Sequence, residues 1–205
     1  MNHGTWTTAA ALTGALLLTG DIGAVTDGSS VTTGAKEKPL EISVSTIRVL
    51  HRSVTIDGEF ERFTGTLEGI LGHFPAGVQQ DIIERPQLAE QRIKAAEGAQ
   101  GLMIFSVFDH GAALNMIGAR RRAKQYLIGN PLTAIQMSQH DIRAALYAPL
   151  RVLVYEHKSG QTTVEYDQPS SLFGQFGQQE ITQVALTLDR RLEQAIAQAA
   201  EVARR

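Results

Sequence analysis

The chain has no cysteine, which excludes disulfides, thiolate catalysis, iron–sulfur ligation and cysteine-based zinc sites. It also lacks a charge bias. The formal net charge is −2, so no global field draws in nucleic acid, and no aromatic–basic interleaving of the RNA-binding kind is present. No strand-like run leads into a GxGxxG or Walker loop, which removes the common nucleotide-binding readings. Neither HxH nor HExxH spacing occurs, so histidine-based metal sites have no local support, and no internal repeat or heptad array is visible. The apolar stretch Ala9 to Leu18 falls well short of the twenty or so residues that span a bilayer. Absent cysteine says nothing about compartment.

What is present suits one domain with a tail. Of the 205 residues, 43% are apolar and 20% charged, enough for a sizeable core and too little charge for a disordered chain. Residues 1–43 read as leader and flexible linker, with a Gly/Ser/Thr-rich stretch from Thr26 to Gly34. Ala9 to Leu18 has the length of a secretory h-region, and Gly23-Ala24 offers small residues for cleavage. Against export, Met1 to Thr8 contains no Lys or Arg. The expectation is a cytoplasmic protein with a dispensable leader; the alternative is a signal peptide and a periplasmic or secreted protein.

Residues 44–205 read as a single α+β domain. Ile42 to Ile56 alternates and is rich in Val, Ile and Thr, predicting one or two strands. Phe60, Phe63, Leu67, Ile70 and Leu71 form a helical stripe. A second helical region covers Val78 to Ala96, restarted by Pro86 and stopped by Gly98. Gly101 to Phe108 is nearly all apolar, as for a central strand, and it delivers Asp109-His110-Gly111. A short helical turn from Ala112 to Ile117 and a basic knot at Arg120–Arg122 and Lys124 follow, the latter read as a solvated loop. Gln125 to Ile128 is a brief strand stopped by Gly129-Asn130-Pro131. Asp141 to Tyr147 is a short helix. Leu150 to Glu156 and Thr162 to Tyr166 make a hairpin-like pair, and Gln168 to Ser171 is a turn. The closing helix, 178–203, carries its stripe on Ile181, Val184, Leu188, Leu192 and Ile196, leaving Asp189 outside or at the margin. Strands mixed with helices, with at least one hairpin, favour a two-layer α/β sandwich with a mostly antiparallel or mixed sheet.

Several polar residues are candidates for a site. Asp109 and His110 leave the end of a strand; a carboxylate orients an imidazole, and histidine transfers protons near neutrality, although an Asp there also caps the next helix. Asn130 either makes an Asx-turn or reaches a ligand. Met137 is a core filler or an apolar wall. Asp141 gains from the dipole of the helix it opens. A metal centre would need His110, His140 and a carboxylate to converge, and none is expected. Tyr155 and Tyr166 are ordinary sheet tyrosines or pocket walls. Ser170-Ser171 lacks the strand–elbow–helix setting of a serine hydrolase.

Phe108-Asp109-His110-Gly111, Ile128-Gly129-Asn130-Pro131, Met137, Asp141, Leu146 to Leu153, Tyr155-Glu156 and Val164-Glu165-Tyr166 leading to Pro169 occur in the order of the DUF302 family. Over Gly101 to Phe176 the chain resembles that family. The resemblance implies a small two-layer α/β domain that dimerises, with no established activity. It also implies a common cleft around Asp109, His110, Asn130, Pro131, Met137, Asp141 and Pro149. The chain departs from the pattern in a longer insert, Phe74 to Gly98, and in Ala112 after Asp-His-Gly. The leading expectation is a domain that binds a small polar ligand through Asp109, His110, Asn130, Met137, Asp141 and Tyr166, without cofactor. The alternatives are an enzyme using His110 as general acid or base with Asp109 or Asp141, and a structural or interaction protein.

Overall fold

Period-two alternation builds the sheet. In a computed structural model, which describes residues 40–204, six strands form one open mixed sheet in the order β1-β6-β5-β4-β3-β2. They are β1 His51–Ile56, β2 Gly72–His73, β3 Met103–Asp109, β4 Ala123–Gly129, β5 Leu150–Glu156 and β6 Thr162–Asp167. All pairings are antiparallel except the short β2–β3 ladder. On one face Ile56, Val164, Tyr166, Val152, Val154, Tyr126, Ile128 and Ile104 are buried together. Against that face pack two helices, α1 Phe60–Ile70 through Phe63 and Leu67, and the C-terminal Gln179–Arg204 through Ile181, Leu188, Leu192 and Ile196. Each such fully buried side chain contributes about 1.5–3 kcal/mol of apolar transfer. This is the expected two-layer arrangement. Among the described residues no helix is long and apolar enough to cross a membrane.

By backbone contacts Val44–Arg205 forms one unit. Of the other, Met1–Ser43, only residues 40–43 are described, exposed and without regular structure; the rest of the leader, with its signal-peptide reading, lies outside the described residues.

Several elements differ from their sequence-based expectation. Ile42 to Leu50 is not a strand. The last rung is the Gln168 N–H donating to the Leu50 carbonyl at 2.8 Å; beyond it the partner strand turns into a helix at Pro169, so alternation has no ladder to join. The Gly101–Phe108 run is not a central strand along its length. The β2 strand covers only Met103 and Ile104, and Ser106 to Asp109 are exposed. The helical region after Gly77 is two helices, α2 Val78–Glu84 and α3 Pro86–Ala95, with Pro86 at the start of the second as expected. His110–Leu114 is α4. Pro131–Ser138 is a helix, α5, where the sequence reads only as the stop of a strand. The Gln168–Ser171 turn opens a further helix, α6 Pro169–Phe173, which makes the C-terminal helix α7. Asp141 caps a 3-10 turn, Ile142–Tyr147.

Two carboxylates tie the helices down. Asp189 is buried rather than outside: from α7 it accepts the Ser170 N–H at 2.8 Å and the Gln168 amide at 2.9 Å, so it caps α6 across the core. In the insert, buried Asp81 accepts from Arg92 and Arg85, and Arg92 also donates to the Ala76 carbonyl at 2.8 Å. The Arg92 hydrogen bond, with the charge of Arg85, holds the Asp81 carboxyl below the usual carboxylate range. This clamp fixes the α2–α3 pair, whose Val78, Ala89 and Ile93 form a second apolar cluster with Met103.

Candidate functional site

The six candidate side chains do not share one cleft. Asp109 lies opposite Lys124 on β4, whereas Asn130 follows the far end of that strand; six residues of strand put the two about 20 Å apart. Asp109 accepts the Ala112 N–H at 2.7 Å and so caps α4. His110 is exposed, its ring edge-on to Phe108 at 4.7 Å. No carboxylate among the described residues comes within hydrogen-bond reach of His110. Asp109 is engaged by its cap, and Asp141 accepts from the Arg143 N–H at 2.9 Å and from its guanidinium at 2.6 Å. The Arg143 side chain holds the Asp141 carboxyl below its ordinary range. Tyr166 lies on the inner face of β6, where burial raises its hydroxyl. Among the described residues no group of three or more His, Asp or Glu is placed to hold a metal ion.

Asn130 and Met137 are brought together. Pro131 opens α5 immediately after β4, because its fixed φ suits the first helical position. The Asn130 carbonyl oxygen (Oδ1) accepts the Leu132 N–H at 2.8 Å. Its amide donates to Glu97 Oε1 at 2.6 Å and to the Gly101 carbonyl at 2.9 Å. Asn130 therefore anchors β4 and α5 to the start of β3, and its hydrogen-bonding capacity is largely committed. Met137 is 2% exposed and lies one to two turns further along the same helix.

Between α5, the sheet end and α7 is a hollow of about 220 Å³, walled by Phe105, Ile128, Met137, Pro149, Phe173 and Leu188. Asn130, Thr133 and Ala134 complete the α5 side. Its walls come from β3, β4, β5, α5, α6 and α7, so it exists only once the layers have closed. Thr133 is a polar side chain with capacity to spare: its hydroxyl accepts from Arg191 Nη1 at 3.5 Å. The sequence did not point to Thr133, Phe105, Phe173 or Leu188. The one local signal was Asn130-Pro131 itself, a cap followed by an N1 proline, which announces a helix and hence an α5 face against the core. Chemically the hollow offers a mainly apolar surface for a ring or a branched alkyl group, with the Thr133 hydroxyl at its side.

The comparisons agree with this architecture. A crystal structure of an uncharacterized conserved DUF302 protein from Bacillus stearothermophilus superimposes with a TM-score of 0.52 at 16% identity, covering 75% of this chain and 98% of that one. At that identity the likeness speaks for the fold alone. No curated protein matches the chain. The model of the family described as domain of unknown function DUF302 matches residues 82–199, more than half the chain and wider than the stretch that carries the sequence motifs. The chain belongs to the DUF302 family.

Proposed function

We propose that the domain binds a small ligand whose body is apolar, of about the size of one aromatic ring, in the hollow beside Met137. The observation that carries this reading is the hollow itself: about 220 Å³ lined by Phe105, Met137, Pro149 and Phe173. An engineered apolar cavity of about 150 Å³ takes up benzene, so a single substituted ring fits here. The ligand's body is apolar rather than polar as the sequence suggested, because the polar residues named there are spent on caps or lie elsewhere. Burying a ring of about eight heavy atoms gives a Kd of roughly 0.1–1 mM. The test is a calorimetric and thermal-shift titration with toluene, benzyl alcohol and indole against the wild type and Ala134→Phe. The wild type is expected to bind at least one of them. The variant, with the hollow filled by its own side chain, binds that compound at least tenfold more weakly while keeping its fold by circular dichroism. Unchanged binding by the filled variant, or no binding by the wild type, overturns the reading.

A second reading, a homodimer, draws on the outer edge of β3. Among the described residues no backbone hydrogen bond reaches the outer side of Ser106, Val107 and Phe108. Val107 is 42% and Phe108 56% exposed. Edge strands are ordinarily protected by charge or proline, and Ser106-Val107-Phe108 has neither. A second copy pairing antiparallel about Val107 brings no like charges into register and joins the two sheets edge to edge, as a twofold requires. Light scattering is expected to give a dimer mass for the wild type and a monomer for Val107→Lys. A monomeric wild type at about 100 μM, far above a stable dimer's Kd, or a variant that stays dimeric, removes it.

A further inference from the structure

We infer that the ligand of this hollow is a small carboxylic acid, its ring beside Met137 and its carboxylate received by Arg191; the inference rests on the binding reading above. Asn130 and Thr133 line a second, polar hollow as well, whose other walls include Gln100, Gly101, Thr187 and Arg191. Arg191 is half-buried. Its guanidinium makes one long contact, to the Thr133 hydroxyl at 3.5 Å, and no carboxylate among the described residues lies within ion-pair distance of it. A guanidinium carries five N–H donors in a fork that matches a carboxylate, so most of its donor capacity is unspent. Its contact to Thr133 is at the limit of hydrogen-bond geometry and yields easily to a stronger acceptor.

The neighbouring Glu97 carboxylate does not supply that acceptor. Glu97 is across Gly101, where a β-carbon would stand 3.6 Å from Glu97 Oε2 and 3.9 Å from Arg191 Nη1; the two side chains flank the glycine without pairing. Glu97 is already accepting the Asn130 amide and shares the field of Lys94. A second observation comes from the backbone of the same hollow. Gln100 holds φ 59°, a left-handed conformation costly for a residue with a β-carbon, and such conformations gather at ligand sites. Gln100 and Gly101 together bend the chain around the space in front of Arg191. The two hollows share Asn130 and Thr133, so a one-carbon acidic arm on a ring in the first is directed past the Thr133 hydroxyl toward the guanidinium that contacts it. A neutral ligand of the same shape leaves Arg191 unused.

The experiment compares matched pairs, phenylacetate with phenylacetamide and benzoate with benzyl alcohol, by calorimetry on the wild type, Arg191→Gln and Arg191→Lys. The wild type is expected to bind the carboxylates at least tenfold more tightly than their neutral partners. Arg191→Gln reduces that preference to twofold or less. Arg191→Lys, which keeps the charge and loses the fork, falls between. If wild type binds the neutral compounds as well as the acids, or if Arg191→Gln keeps the preference, the carboxylate assignment is wrong and the hollow stands. If no member of either pair binds, the hollow reading fails and this inference with it.

Discussion

Gly98→Ala lowers the Tm by roughly 10 °C, although it adds a single methyl group. In the native backbone Gly98 lies against the loop that leads into β2. A β-carbon there would stand 2.6 Å from the Ile70 carbonyl oxygen and closer still to Leu71 and to the Gly72 nitrogen. These are backbone atoms, so no side chain can swing aside. The contact matters because the Leu102 carbonyl accepts from Gly98 and from Gly72, each at 3.1 Å; moving either strand of chain breaks the junction that seats β2 on β3. The expected loss is about 3 kcal/mol or more, the upper end of overpacking, out of a typical total of about 5–15 kcal/mol. For a domain of this size that is a fall in Tm of roughly 10 °C. Gly65→Ala is the matched control. Gly65 is inside α1 with nothing within 4 Å of an added β-carbon, so the same chemical change gains about 0.5–1 kcal/mol there. Urea melts of the two variants side by side settle it: equal stabilities would mean the Gly72–Gly98 approach is looser than described.

Phe173→Ala is the second large effect, and it links stability to the site. Phe173 is 0% exposed, edge-on to Tyr147 with ring centroids 6.3 Å apart, and it forms one wall of the hollow. Removing the ring costs about 3–5 kcal/mol, transfer plus cavity; Phe173→Leu keeps most of the volume and costs under about 1.5 kcal/mol. The enlarged hollow should also take larger rings than the wild type. Naphthalene-sized compounds therefore recover part of the lost stability in Phe173→Ala, by mass action on the native state, and do nothing for Phe173→Leu. A loss below 1 kcal/mol in Phe173→Ala would falsify the placement of this ring between α6 and the sheet.

The helices, the hairpin and the two-layer class were legible because each is written in local periodicity. Phe63 and Leu67 repeat at helical spacing, Val152 and Val154 at strand spacing, and Pro86 marks a helix start whatever surrounds it. The misses have a common origin. Ile42 to Leu50 alternates as a strand does, but a strand needs a neighbour, and β6 ends before it can supply one. Gly101 to Phe108 is apolar enough for a sheet interior, yet β2 is two residues long and leaves most of it at an edge. Asp189 sits at the margin of its helical stripe by spacing alone, and becomes a buried cap because α6 starts above it. For Asp109 the local reading, a cap on the following helix, is the one its hydrogen bond follows, and Asn130 and Asp141 likewise bond to backbone N–H groups two residues on.

By itself the sequence determined the order and type of most elements, the absence of thiol chemistry, and membership of a family readable from Asp109-His110-Gly111, Asn130-Pro131 and Pro149. Only the tertiary structure decided that Asp109 and Asn130 stand at opposite ends of β4, and that Phe105, Thr133, Met137, Phe173 and Leu188 meet around one hollow. The reason is geometric. Periodicity records which face of an element is apolar. It does not record which other face that one will meet, and a hollow walled by six elements is a property of their meeting.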